Sequence, residues 1–177
     1  MFGRPRETRA ARVRRRIRVY SDPLQHACIA AAVVAPLVPT SGRRVLLTAV
    51  VPALVIDVDH AVAARSVRVR DTTSLATRPR SHSLVTALGT GVAVAAAAGP
   101  AHGWAAFGGL ASHLLHDAGD RAAPTPLLWP FAPARQVGRR RQAAGTAALA
   151  LLSVVVSRAM AGPSRGPSAG GADGAGA

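Results

Sequence analysis

Five apolar runs set the frame of this chain, at about residues 24–39, 45–56, 84–98, 102–116 and 143–160. They predict helices. The first two are short: at 1.5 Å per residue they barely cross a hydrocarbon core about 30 Å thick, so the pattern leaves both half-spanning and buried helices open. The third closes at Gly99-Pro100 and the fourth follows at once. The fifth carries no charge before Arg158 and is the cleanest membrane span. Gly89, Gly91, Gly103, Gly108 and Gly109 supply the small residues that let membrane helices approach closely. The expected fold is all-α, an integral membrane bundle of about four to five helices. Its layout is an Arg-rich arm over residues 1–20, a helical membrane domain over 21–160 and a disordered Gly/Ala-rich tail over 161–177.

Composition sharpens this picture. The chain has 177 residues, 49% hydrophobic and only 3% aromatic, so Ala, Val and Leu carry the apolar character. Its net charge of +14 comes entirely from arginine, since no lysine occurs. Such a charge suggests nucleic acid, but the arginines lie between apolar runs and not beside the aromatic or polar readers of a folded module. The layout fits the positive-inside rule instead, and no nucleic-acid partner is expected. The expected partners are membrane lipids, with anionic headgroups at the Arg-rich arm. A cleaved signal peptide is a weaker reading, because no small-residue cleavage motif follows the first run. Cys28 is the only cysteine, which excludes a disulfide framework and a thiolate cluster, and it is expected to be a small buried hydrophobe.

Arginine counts then orient the chain. If the arm is cytoplasmic and all five runs span, 18 of the 22 arginines fall on the cytoplasmic side, leaving only Arg43, Arg44, Arg158 and Arg165 outside. This topology places His26, Asp57-Val58-Asp59-His60, His82 and His113-Leu114-Leu115-His116-Asp117 at the same membrane face. Only His102 falls at the other end.

Imidazoles and carboxylates at the ends of apolar segments are costly unless something pairs with them. His113 and Asp117, four residues apart, are offset by about 40° on a helix and can reach one ion. His116 lies off that face and reads as an interfacial histidine in preference to an outer partner of the ligands. Asp57 and Asp59 would repel one another without a cation. The candidate metal ligands are therefore His26, Asp57, Asp59, His60, His82, His113 and Asp117. A sulfur-free N/O set suits zinc best, with manganese or iron as alternatives. Seven candidates suffice for two ions, or for one ion with outer partners, and a two-ion site suits phosphoester hydrolysis. Asp57 or Asp59 would serve as catalytic base if not a ligand. Arg78 and Arg80 are candidates for holding a substrate phosphate, against the plainer reading of positive-inside charges. Ser83 is expected to cap the third helix.

At these residues the chain resembles the membrane-bound, LexA-regulated, metal-dependent hydrolase family of YdjM type. The resemblance runs through His26, Asp57-Val58-Asp59-His60, Arg78-Pro79-Arg80-Ser81-His82-Ser83, His113-Leu114-Leu115-His116-Asp117 and Trp129-Pro130-Phe131, in the family's order. Three positions depart from its pattern: Ile56 replaces a proline, Thr77 a histidine and Ser81 a threonine. The resemblance implies a multi-pass inner-membrane protein with a divalent metal and hydrolytic activity. With the topology, it leads to the expectation of a metal-dependent hydrolase of phospholipids or other lipid-linked phosphoesters at the cytoplasmic face. The alternative is a non-catalytic membrane protein that binds or handles the ion.

Overall fold

The computed structural model describes residues 9–120 and 123–162. The start of the Arg-rich arm and nearly all of the Gly/Ala tail therefore lie outside the described residues. The rest is helical, as expected: α1 (Arg9–Val34), α2 (Val38–Ser41), α3 (Arg44–Val55), α4 (Val58–Ala64), α5 (Val69–Thr72), α6 (Leu84–Ala98), α7 (Pro100–Gly119) and α8 (Arg139–Ala161). Among the described residues the one β-bridge is an isolated pair between Thr125 and Arg135, in the loop that joins α7 to α8.

The two runs that look short in the sequence are each lengthened by an adjoining helix. A 3₁₀ turn, Ala35–Leu37, joins α1 to α2, so Ser21–Ser41 forms 21 residues of apolar helix. Likewise α3 bends into α4 and Arg44–Ala64 forms another 21, while α8 supplies 23. At 1.5 Å per residue, 21 residues cover about 31 Å, enough to cross a membrane. The α6–α7 joint is a tight reversal. Gly99 adopts φ 92°, a region that suits glycine, and Pro100 starts α7 where a missing N–H costs nothing.

Helix α7 is the axis of the bundle, packed by α1, α3, α6 and α8. Its buried face is built from small residues, including Ala105, Ala106 and Ala111, with Leu110 and Leu114 toward the polar end. Two glycines set the spacing. A Cβ on Gly109 would collide with the Ala49 carbonyl of α3, and one on Gly103 would collide with Ala95 of α6. Gly89 does not share this role, because open space surrounds it. Trp104 donates its indole N–H to Ser153 of α8 at 2.9 Å, which satisfies both groups inside the bundle.

Large apolar side chains cover the outward faces. Leu24, Leu47, Val51, Leu88, Val92, Leu151 and Val155 are all exposed, an arrangement that costs nothing against lipid and a great deal against water. Cys28 is exposed too, contrary to the buried position expected from its chemistry. The packed face of α1 is set by Ala30, Val33 and Val34, and Cys28 lies off it.

Candidate metal centre

Three segments bring the polar groups to one end of the bundle. The bend between α3 and α4 is made by Ile56 and Asp57, with tight bonds from Asp59 N–H to Ile56 and from His60 N–H to Asp57. Asp57 stands at the N-cap of α4, yet its side chain makes no capping bond and turns to the cluster. His82 sits just before α6, in a turn closed by its own N–H to the Pro79 carbonyl. Ser83 caps that helix as expected, accepting from the Thr86 N–H. His113 and Asp117 come from consecutive turns of α7.

Asp57, His82, His113 and Asp117 meet there. His82 Nε2 lies 3.5 Å from Asp57 Oδ1 and 3.3 Å from Asp117 Oδ2, and His113 Nε2 lies 3.4 Å and 3.2 Å from the same two oxygens. A tetrahedral ion with bonds of 2.0–2.1 Å separates its donors by about 3.3–3.4 Å. Four edges of this donor set match that spacing. His82 Nε2 and His113 Nε2 are buried without a hydrogen bond, the condition of atoms that share a missing partner.

Asp59 and His60 stand one step back. His82 Nδ1 bonds Asp59 Oδ2 at 3.1 Å, a contact that would keep a proton on Nδ1 and free Nε2 for an ion in the cluster. Ser81 donates to the same carboxylate, and His60 Nδ1 lies 3.1 Å from its other oxygen. Asp59 Oδ2 is placed to orient His82, while Asp59 Oδ1 and His60 Nδ1, buried without a hydrogen bond, form with His82 a further group spaced to hold an ion. Burial works against a charged ring at His82, but the carboxylates of Asp117, Asp57 and Asp59 outweigh it and push its pKa up to about 10. Asp57, Asp59 and Asp117 all surround His82, and the positive charge they favour on its ring is one that a divalent cation at Nε2 would supply in place of the proton.

The two arginines expected at a substrate are placed otherwise. Arg78 is nearly buried and pairs with Asp117 Oδ2 at 3.0 Å, with Asp120 farther off at 3.9 Å. Arg80 is exposed and lies over the Trp129 ring, 5.8 Å from its centre. His26 is buried beside the four donors, its Nε2 3.4 Å from Asp117 Oδ1. His102 bonds Thr48 at 2.8 Å, away from the cluster.

A family model described as YdjM inner membrane protein matches residues 22–170. The chain belongs to that family. No curated protein and no solved structure matches it. Together with its three long apolar helices, YdjM membership makes this a membrane protein. Within the YdjM frame, the departures at positions 77 and 81 acquire a physical reading. Thr77 is exposed and outside the cluster, whereas Ser81 retains the one hydroxyl that Asp59 uses. The Trp129-Pro130-Phe131 segment belongs to a loop folded over the polar end. Its anchors are Arg78 N–H to Pro124, Leu84 N–H to Leu127 and Val137 N–H to Ala118. Sequence reasoning missed Asp22, whose signal was its four-residue spacing from His26. It also set His116 aside as interfacial, while the structure packs it edge-on against His26.

Proposed function

We propose that this YdjM-family protein is a multi-pass, divalent-metal-dependent hydrolase of phospholipids or other lipid-linked phosphoesters, working at the cytoplasmic membrane face with its N-terminus inside. The observation that carries the reading is the four-donor set of Asp57, His82, His113 and Asp117, with edges of 3.2–3.5 Å. Two imidazoles and two carboxylates suit zinc best, then manganese or iron. When bound, such an ion supplies Lewis-acid polarisation of a phosphoryl oxygen and activates water.

The chain's own groups would do the rest. Asp59 and Ser81 fix the His82 tautomer, and Arg78 holds Asp117 in place. Asp57 is 36% exposed where the other three donors are at most 1%, so solvent reaches the centre on its side. A lipid substrate is supported by a cleft of about 1100 Å³ between α1, α7 and α8, which none of the four donors lines but which adjoins them through His116, the neighbour of Asp117. Gln25, Arg139 and Gln142 line one end of it, while Ile29, Ala147 and Ala150 line the other. That gradient fits an amphiphile, with Arg139 for an anionic headgroup and small side chains leaving room for an acyl chain.

A second reading is a metal that only ties helices together. It is favoured by the donor count, since four protein ligands already fill a tetrahedral shell. Protein reconstituted in zinc-loaded form into vesicles of phosphatidylglycerol and phosphatidylethanolamine decides between the two. Release of a water-soluble phosphate ester, abolished by chelator and by His82→Ala, is expected. Retained metal with no turnover of either lipid would leave the tie as the function.

A further inference from the structure

Beside the four-donor set lies a second cluster. On α1, Asp22 stands one turn before His26, and from α7 His116 faces both. His116 Nε2 is 3.9 Å from Asp22 Oδ1, the His26 and His116 rings meet edge-on at 4.7 Å, and one donor from each residue lies within 4.8 Å of the others. His26 is 1% exposed, and neither of its ring nitrogens has a hydrogen-bond partner. A buried imidazole so placed is expensive unless something meets it. Its Nε2 is 3.4 Å from Asp117 Oδ1, whereas the first cluster uses Oδ2 of that same carboxylate.

We propose that Asp22, His26 and His116 hold a second divalent cation, which Asp117 bridges to the first through its two oxygens. The proposal rests on reading the first cluster as a metal centre. Paired ions in two-metal sites stand about 3.5–4 Å apart, a spacing that one carboxylate spans. Gln142 supplies the outer partner: its side-chain amide is 3.3 Å from His116 Nδ1. Amide oxygen and nitrogen interchange by a flip, and with the oxygen toward the ring, Nδ1 carries the proton and Nε2 is free for the ion. Asp22 and His116 line the cleft that Arg139 enters, so this ion sits where a headgroup phosphate would arrive. Asp22 is also 46% exposed, so the second ion exchanges with solvent more readily than the first.

The test counts ions. Detergent-purified protein is stripped with chelator, reloaded with zinc and analysed for metal per chain, beside Asp22→Asn and His116→Ala. Folding is checked by helical circular dichroism and monodisperse elution. Asp22, being half-exposed, is the variant that leaves packing intact. Two ions in wild type and one in each variant are expected, with the second ion lost first on dialysis. Loaded instead with Mn²⁺, wild type should give an exchange-coupled spin-resonance signal that both variants lose. A single ion in wild type, unchanged in both variants, overturns the second site while the first stands. Two ions retained in both variants overturn this choice of ligands. No ion in wild type overturns both sites.

Discussion

Asp59 shows how much one residue's role depends on its neighbours. Its Oδ2 is taken by His82 and Ser81, so its effect on an ion in the four-donor set passes through the His82 ring. Removing such an outer partner costs about 10- to 100-fold in metal affinity. Asp59→Ala is therefore expected to weaken zinc binding by that factor in a chelator competition, with the fold preserved. Unchanged affinity would detach Asp59 from the site. The ligand types were legible in the sequence because imidazole and carboxylate in an apolar setting demand a partner. Which carboxylate oxygen faces inward was not legible. That depends on the Asp57 bend and the Ser81 hydroxyl, and neither leaves a periodic signal. Arg78 illustrates the same limit: its charge suggested an anion, and its actual partner, Asp117, is 39 positions away in the chain.

Among the elements, the hydrophobic runs located α6 and α8 well, because uninterrupted apolar sequence leaves few alternatives. They matched α3 but missed its extension by α4, because the polar Asp57, Asp59 and His60 end the apolar signal where the helix bends and continues. Glycine content was a coarse guide for a similar reason, since close approach depends on which face a glycine occupies. A paired experiment measures this. Gly109→Ala forces α7 away from the Ala49 carbonyl and is expected to cost about 1–3 kcal/mol, the usual range for overpacking. Gly89→Ala meets open space and should be neutral, or stabilising by up to about 1 kcal/mol through helix propensity. Thermal unfolding in detergent reads both. Equal effects at the two positions would contradict the close α3–α7 packing at Gly109.

Across the molecule, apolar outer faces and polar groups gathered at one end make a bundle that presents chemistry at a single membrane surface. The arginine distribution predicts which surface. A reporter inserted in the connection between α5 and α6 is expected on the cytoplasmic side, and exposure outside the cell would reverse the orientation. The cleft between α1 and α8 gives a further prediction: Ala147→Trp should fill it, abolishing lipid turnover while leaving bound metal unchanged. Loss of metal in that variant would mean the cleft and the centre are not separable. The claim beneath all of these is that Asp57, His82, His113 and Asp117 bind a divalent ion. Elemental analysis of the purified protein beside His82→Ala tests it most directly. Wild type is predicted to carry at least one stoichiometric divalent ion that the folded variant lacks, and metal-free wild type, or a variant with equal content, would contradict the account.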